Sequence, residues 1–249
     1  MRQVIVIPAR MKGTRLPGKP LIKILNKTMI WRVWNQCRKI HAPENIFVAT
    51  EDKEIKEHCD ENDINCIITG KANTAIDRIK LFSDIIEADS YINVQGDEPL
   101  VNPKDILSIL KYNFEYPNRV VFGKTSANIE EFNDFSKAKV VCDLDGRLLY
   151  SSRAAIPINN KGNFVSAERA IWIYAFSKSS LNDYNKYQTQ TALEIIEDNE
   201  IIRFLEIGIP VYCIDVIGNS WAIDEEKDIK IVESIILDEN RDEKDSINS

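Results

Sequence analysis

Residues 3–20 read QVIVIPARMKGTRLPGKP, and this segment indicates the fold class of the whole chain. Its apolar, β-branched run at residues 4–7 is typical of a fully buried strand in a parallel sheet. A polar loop rich in glycine and proline follows at residues 8–20. Ligands of open α/β sheets bind at the carboxyl ends of such strands. The segment therefore predicts a parallel sheet whose first strand leads into a binding loop.

Strand and helix patterns alternate through the rest of the first half of the chain. Short apolar runs predict strands at residues 46–49, 66–69 and 91–94. Amphipathic or capped segments predict helices that begin near Thr28, Glu51, Ala75 and Pro103. This alternation is typical of a parallel sheet covered by helices on both faces. We therefore predict a Rossmann-like α/β fold with a mostly parallel central sheet.

The second half of the chain has a different pattern. Asp145-Gly146 is a turn signal, and it predicts a hairpin between extended segments 139–142 and 147–151. The later elements are predicted as strand 170–176, helix 191–204, strand 211–216 and helix 225–237. We treat residues 1–237 as a single domain. Residues 238–249 are almost wholly polar and are predicted to form a frayed tail.

Composition excludes several classes of protein. The 249 residues are 44% hydrophobic and 29% charged, as in a folded globular protein. The net charge of -7 repels nucleic acids and anionic membranes, and we expect neither as a partner. No apolar stretch approaches the ~20 residues that span a bilayer. Five cysteines without a C-x-x-C pair indicate a reduced, cytoplasmic protein, and two isolated histidines argue against a zinc site or a histidine-based triad.

Four cations crowd the loop at residues 8–20 of this otherwise acidic protein. They are Arg10, Lys12, Arg15 and Lys19. Gly13 and Gly18 would let the backbone come close to phosphate groups. A solvated run of charge is the alternative interpretation. The glycines and the position after a buried strand favour an anion-binding loop.

The same loop matches the beginning of a P-loop, G-x-x-x-x-G-K, from Gly13 to Lys19. The match ends at Pro20, because a P-loop needs Ser or Thr there to hold magnesium. Pro17 also lacks the amide N–H that a phosphate cradle would use. We therefore do not expect a P-loop NTPase.

A second polar cluster, VQGDEP at residues 94–99, directly follows a predicted buried strand. Asp97 is thereby expected at the same sheet edge as the basic loop. A carboxylate beside a triphosphate site most naturally holds magnesium. An ordinary turn aspartate is the alternative, but the combination with the basic loop favours a metal-assisted nucleotide site.

Six segments, in order along the chain, resemble the cytidylyltransferases typified by 3-deoxy-manno-octulosonate (KDO) cytidylyltransferase. They are IPARMKGTRLPGKPL, VATED, NVQGDEPL, KVVCDLDG, YSSRAAIP and WAIDEEKDI, and they run from about residue 3 to 235. The resemblance implies a fold of the nucleotide-diphospho-sugar transferase type. It also implies a homodimer that joins CTP to a 2-keto-3-deoxy sugar acid for lipopolysaccharide or capsule biosynthesis, releasing pyrophosphate and forming a CMP-sugar.

Carried over residue by residue, the resemblance implies a site with two halves. Residues 1–115 would form the nucleotide-binding half and residues 116–237 the acceptor-binding half. The nucleotide-binding residues would be Arg10, Arg15, Lys19, Arg78 and Gln95. Asp97 and Asp224 would hold magnesium and, together with Lys19, would carry the catalysis. The acceptor-binding residues would be Arg153, Arg169, Tyr174 and Glu200.

Three glutamates, Glu200 among them, match a helical motif of the family, L-E-x-x-E-x-x-E-Q. They are Glu194, Glu197 and Glu200. Because they recur every third residue, we expect them near one face of the helix predicted at residues 191–204. Without the resemblance, a solvated helix face would be the preferred interpretation.

The sequence departs from the family pattern mainly in the acceptor half. The family's H-x-G-I-Y segment reads AIWIY at residues 170–174, and the glutamine that follows Glu200 is replaced by Ile201. The family's H-x-S-G-T-[DE]-R segment, which borders the base, reads NTAIDR at residues 73–78 here and is one residue shorter. Since sites built for polar partners discriminate strongly between ligands, we expect KDO to be a poor substrate. A phosphate, a phosphonate or another sugar acid is the alternative acceptor, and a nucleotide-binding regulator without catalysis is the alternative function.

Overall fold

The structure is a computed structural model that describes the backbone of residues 1–13, 16–187 and 189–247, with side chains up to residue 238. The strands are β1 Gln3–Pro8, β2 Lys23–Ile24, β3 Lys27–Thr28, β4 Ile46–Thr50, β5 Cys66–Ile68, β6 Ser90–Val94, β7 Val120–Ala127, β8 Lys139–Cys142, β9 Leu148–Ser152, β10 Ala167–Ser177 and β11 Val211–Asp215. The α-helices are α1 Met29–Cys37, α2 Lys53–Glu61, α3 Ala75–Ser83, α4 Pro103–Glu115, α5 Ile129–Asn133, α6 Lys178–Tyr184, α7 Ala192–Glu197, α8 Ile202–Glu206 and α9 Glu226–Ile247.

The main sheet has the strand order β11-β7-β10-β6-β1-β4-β5. β1 pairs in parallel with both β4 and β6, whereas β10 lies antiparallel between β6 and β7. The β8–β9 hairpin extends the sheet through pairing with β10. The predicted α/β fold with a mostly parallel central sheet is therefore confirmed. Since β10 comes from the second half of the chain, both halves contribute to one sheet.

The apolar run that begins the chain is buried on both faces of the sheet. Val4 and Val6 pack into one apolar cluster together with Phe82 of α3. Ile5 and Ile7 alternate with them and pack into the opposite cluster with the residues of α1. All four side chains of the run have no solvent exposure. A strand buried on both faces needs apolar residues at every position, which explains why this run does not alternate with polar residues.

The prediction of one helix over residues 191–204 is wrong in one respect, because the structure has two short helices there, α7 and α8. α7 ends at Glu197, and Asp198 has a φ of 47°, in the left-handed region. Asp and Asn tolerate this conformation better than most residues, and Asn199 follows directly. Glu200 consequently lies between α7 and α8, off the helix that carries Glu194 and Glu197.

The carboxyl-terminal helix is longer than predicted. α9 continues to Ile247, so the frayed tail expected from residue 238 is helical over most of its length. Residues 226–247 contain neither glycine nor proline and are rich in Glu, Asp and Lys; of these, Glu and Lys are good helix formers. Asn248 and Ser249 lie outside the described residues. Within the part of the chain that the structure describes, no helix is long and apolar enough to cross a lipid bilayer.

Candidate active site

A cavity of about 260 Å³ opens at the carboxyl ends of β1 and β6. Its walls come from the basic loop after β1, the segment that leads into α3, the loop after β6 and the segment before α9. The lining residues that matter for the chemistry are Arg10, Lys19, Asn73, Thr74, Arg78, Gln95, Asp97 and Asp224. The structure therefore brings the two predicted clusters, from residues 8–20 and 94–99, to one cavity.

The loop after β6 lies directly against the end of β1. A Cβ atom on Gly96 would come within 2.6 Å of the Pro8 carbonyl oxygen, so only glycine fits there without a shift of the backbone. This close approach carries Asp97 toward the basic loop. Gly18, with a φ of 70°, donates its N–H to the Met11 carbonyl oxygen at 2.9 Å and folds the loop back toward the sheet. The two glycines thus place Lys19 and Asp97 on one side of the cavity.

Asp97 and Asp224 converge on the Lys19 ammonium. The Lys19 Nζ atom lies 2.8 Å from Asp97 Oδ2 and 3.2 Å from Asp224 Oδ1. A backbone hydrogen bond of 3.0 Å, from the Ile223 N–H to the Asp97 carbonyl oxygen, fixes the two aspartate segments side by side. The Lys19 side chain is 18% exposed and each carboxylate is 38% exposed, so all three groups remain accessible from the cavity. Both aspartates therefore contact one ammonium group at the cavity, and the magnesium role expected of them stays a prediction.

The donor set of this site suits a magnesium ion. Magnesium is usually held by one or two carboxylates, together with water and the phosphates of a substrate. Asp97 and Asp224 supply two carboxylates at the edge of the cavity, both within hydrogen-bond distance of the Lys19 ammonium. Over the described residues, no group of three or more His, Cys, Asp or Glu could hold a metal ion by itself. The site therefore fits an ion that a nucleotide helps to bind.

Two further cations border the cavity in different environments. Arg10 lies at the cavity wall and is exposed. Arg78 is 3% exposed and donates to the Thr69 hydroxyl at 2.9 Å, and Glu51 Oε1 lies 3.4 Å from its guanidinium. Burial lowers the pKa of Arg78 from its ordinary value, and the charge of Glu51 opposes that shift. Arg15, predicted as a third triphosphate ligand, lies outside the described residues.

The first turn of α3 forms the wall opposite the basic loop. Thr74 and Asp77 form a capping box, in which the Asp77 N–H donates to the Thr74 hydroxyl and the Thr74 N–H donates to Asp77 Oδ2, both at 3.1 Å. Glu200 lies beneath this turn and accepts the N–H of Ile76 at 3.0 Å. Burial raises the pKa of Glu200 to about 7. Glu200, which was predicted to bind the acceptor, therefore supports the wall of the nucleotide cavity.

The predicted acceptor residues are not among those that line this cavity, and the two arginines contact backbone and carboxylate oxygens of the protein itself. Arg153 donates to the carbonyl oxygens of Ser136, Glu197 and Asp198 at 3.1, 3.2 and 3.1 Å. Arg169 pairs with Glu131 at 2.7 Å and donates to the Gly218 carbonyl oxygen at 2.7 Å. Both guanidinium groups thus connect separate segments of the second half of the chain.

The altered positions of the acceptor half lie in an aromatic region of the core. Tyr174 is 2% exposed and stacks between Trp172 and Phe176 at centroid distances of 5.9 and 5.7 Å. Burial raises the pKa of Tyr174 well above its ordinary value. Ile201 has no exposure and belongs to the same apolar cluster. The side chain that replaces the family's glutamine therefore faces the core.

Sequence reasoning missed two residues that shape the site. Asp52 accepts the Met11 N–H at 2.7 Å and so holds the basic loop from the neighbouring strand end. Thr74 caps the helix that forms the cavity wall. The second was detectable, since T-x-x-D at residues 74–77 has the form of a capping box. Asp52 had no comparable local signal, because its partner lies in a different loop.

Comparison with known proteins places these features in a family. The family model described as cytidylyltransferase matches residues 4–217. The chain belongs to the cytidylyltransferase family. It is therefore a nucleotidyltransferase by family, as the basic loop and the paired aspartates indicated.

Similar proteins cover nearly the whole chain. A 3-deoxy-manno-octulosonate cytidylyltransferase of Koribacter versatilis is 32% identical over 243 residues, covering 96% of this chain and 92% of the relative. One from Psychromonas ingrahamii is 36% identical over 236 residues, covering 85% and 89%. The solved structure of a CMP:2-keto-3-deoxy-manno-octonic acid synthetase complexed with CTP superposes with a TM-score of 0.90 at 28% identity, covering 96% of this chain and all of that one. This likeness supports the nucleotidyltransferase fold.

Proposed function

We propose that this cytidylyltransferase joins CTP to a 2-keto-3-deoxy sugar acid of the KDO type. The acceptor hydroxyl oxygen forms a bond to the α-phosphorus of CTP, and the bond from that phosphorus to the α,β-bridging oxygen breaks. Pyrophosphate leaves, the hydroxyl proton passes to solvent, and a CMP-sugar remains. The names of the similar proteins support this acceptor, and the solved structure of a similar protein is complexed with CTP.

The observation that carries the proposal is the convergence of Asp97 and Asp224 on Lys19 at the cavity wall. A triphosphate needs cations around it, and Arg10, Lys19 and Arg78 border the same space. We propose that Arg10 and Lys19 neutralise the leaving pyrophosphate, with Arg15 as a further ligand from the same loop. Gln95, which also borders the cavity, would orient the nucleotide.

We propose magnesium as the cofactor, held by Asp97 and Asp224. When bound, the ion supplies positive charge that polarises the α-phosphate and neutralises the triphosphate. The two aspartates would contribute position and charge, since their backbones are already joined through Ile223. Lys19 would keep the carboxylates close together and balance their charge.

The acceptor half supports a second candidate within the same reaction class. Arg153, Arg169, Tyr174 and Glu200 are proposed to serve the acceptor by resemblance. Ala170, however, stands where the family has a polar histidine, and it is buried. A less hydroxylated or differently charged acid would need fewer polar partners there than KDO does.

One assay separates these possibilities. Wild-type protein is incubated with each of the four nucleoside triphosphates, magnesium, and either KDO, another sugar acid, or a small phosphate or phosphonate, while pyrophosphate is measured. The proposal predicts release that requires CTP, the sugar acid and the metal together. Release that is fastest with a non-sugar acid would establish the second candidate. Nucleotide binding without release from any acceptor would instead support a regulatory protein.

We further propose a cytoplasmic homodimer. Tyr150 donates to Glu197 at 3.1 Å, which joins β9 to α7 where Leu149, Ile195 and Ile196 are exposed. Exposed apolar side chains of β9 and α7 are candidates for burial in a subunit interface. The proposed compartment rests on the sequence, whose five cysteines include no C-x-x-C pair. Sedimentation equilibrium measures the oligomeric state of the protein. If an Ile196→Asp variant remained dimeric, the interface would lie on another part of the surface.

A further inference from the structure

A buried polar cluster connects the second half of the chain to the nucleotide cavity. Arg203 in α8 is 2% exposed, and its guanidinium donates to both carboxylate oxygens of Glu194 at 2.7 Å. The guanidinium carbon lies 3.9 Å from the ring centroid of Tyr184. A third guanidinium contact reaches Asp77 Oδ1 at 3.4 Å. The proposed reaction makes no direct use of any of these four residues.

Asp77 extends this contact to the cavity wall. While one carboxylate oxygen faces Arg203, the other accepts the N–H of Thr74 at 3.1 Å. Thr74 lines the cavity together with its neighbours Asn73 and Ala75. A single carboxylate therefore joins a buried arginine on one side to the wall of the nucleotide cavity on the other.

We propose that Arg203 is a positioning residue for the nucleotide, acting through Asp77 on the cavity wall at residues 72–75. The inference rests on the proposed function in taking CTP as the nucleotide. Arginine suits this position because its planar fork can hold Glu194 with two nitrogens and still reach Asp77 with the third, which a lysine cannot do. The bond from Ile76 to Glu200 adds a second tie to the same turn.

The consequence concerns affinity rather than chemistry. The two ties hold the first turn of α3 in place before a nucleotide arrives, and a preformed wall avoids the cost of ordering that segment on binding. The reacting groups, Lys19, Asp97 and Asp224, stand on other walls of the cavity. Loss of the Arg203 contact should therefore weaken CTP binding and leave turnover at saturating CTP nearly unchanged.

The sharpest test is the Asp77→Asn variant. The asparagine oxygen can still accept the Thr74 N–H, but its NH₂ group would face the guanidinium of Arg203. We expect the Kd for CTP, measured by calorimetry without acceptor, to rise about tenfold, which corresponds to about 1.4 kcal/mol. The KM for CTP should rise in parallel, while kcat and the KM for the acceptor should stay within about threefold of wild type.

A double variant keeps the test informative if Asp77→Asn does not fold. Arg203→Met with Glu194→Met replaces the buried ion pair by apolar side chains, a change that buried pairs often tolerate. It should raise the Kd for CTP as Asp77→Asn does. The matched control is Lys178→Met, because Lys178 contacts the Ser83 carbonyl oxygen and, at 3.1 Å, Asp84 at the opposite end of α3. That variant should lower the melting temperature without changing the Kd for CTP.

Two outcomes would overturn the inference. In the first, the Asp77→Asn and double variants fold but bind CTP as tightly as wild type. In the second, Lys178→Met loses as much CTP affinity as those variants do, which would indicate general loosening of α3. Failure of the proposed function has a different signature. Wild-type protein that binds CTP but releases no pyrophosphate with any acceptor would reject the reaction. The calorimetric comparison between wild type and variants would still stand.

Discussion

Cations in the two halves of the site have different partners. On the nucleotide side, Arg10 and Lys19 line an accessible cavity, and Lys19 contacts two carboxylates that a metal ion could share. On the acceptor side, Arg153 and Arg169 contact carbonyl oxygens and carboxylates of the protein itself. Residues that match a family pattern equally well can therefore stand ready for a ligand or hold the scaffold, and their contacts distinguish the two roles.

The largest effect on activity is expected for Asp97, one of the charged groups on the nucleotide side. Asp97→Asn should leave folding intact and reduce pyrophosphate release by about a thousandfold or more, since metal-assisted charge stabilisation is worth several kcal/mol. Steady-state pyrophosphate release measures the loss of activity, and thermal unfolding shows whether the variant still folds. The matched control is Asp215→Asn, which takes a carboxylate from the Lys124 ion pair at 2.9 Å, outside the cavity. If both variants kept wild-type activity, the nucleotide side would lose its assigned chemistry.

Sequence alone could predict the sheet, because its signal is local. The run from Val4 to Ile7 must be buried on both faces, and that requirement is visible in the residues themselves. The break between α7 and α8 was not predictable in the same way. It depends on Asp198 adopting a left-handed conformation and on Glu200 reaching Ile76, a contact between segments distant in the chain.

The candidate site shows the same difference between local signals and contacts of distant segments. Glycine, cation and aspartate patterns predicted that the basic loop and Asp97 would meet at one sheet edge, and the structure brings them together. The contacts of Arg153 could not be predicted, because most of its partners are backbone carbonyl oxygens in two separate segments. Backbone acceptors carry no residue-type signal, so a sequence pattern cannot tell such an arginine from a ligand-binding one.

A second prediction tests whether cations of one loop are equivalent. Lys19→Ala should raise the KM for CTP about tenfold or more, because a charge-assisted contact contributes roughly 1.5–3 kcal/mol. Lys12→Ala is the matched control, since Lys12 is exposed in the same loop and is not among the residues that line the cavity. Kinetics with varied CTP at saturating acceptor give both values. Equal effects of the two substitutions would show that only the summed charge of the loop matters.

A third prediction compares one arginine from each side. Arg153→Met should lower the stability by about 1–3 kcal/mol, because several carbonyl oxygens lose their donor. At about 2–4 °C for each kcal/mol, the melting temperature should fall by several degrees. Arg10→Met should leave the melting temperature unchanged and raise the KM for CTP. If Arg153→Met left the melting temperature unchanged, the contrast between the two sides would fail, whereas a raised KM for the acceptor in addition to the lost stability would support its proposed acceptor role.

The smallest expected effect is a change in how stability depends on pH, and it concerns the residue where the two sides meet. Burial raises the pKa of Glu200 from 4.5 to about 7. Asp77 and Glu194 add negative charge around it, and the phenols of Tyr174 and Tyr184 lie in the same region. The folded state therefore binds a proton that the unfolded state releases, so the protonated carboxyl favours folding at low pH and this contribution is lost as pH rises from 4.5 through 7.

Glu200→Gln tests this assignment, because glutamine cannot titrate but keeps an oxygen for the Ile76 N–H. The free energy of unfolding in urea should be similar for variant and wild type near pH 4.5, and the variant should become relatively more stable as the pH approaches 8. Asp143→Asn, in the β8–β9 turn, should not show a growing advantage, since hydrogen bonds from Arg147 lower the pKa of Asp143. A constant difference between Glu200→Gln and wild type across this range would mean that Glu200 stays ionised, and that its carboxylate supports the nucleotide wall as a charge.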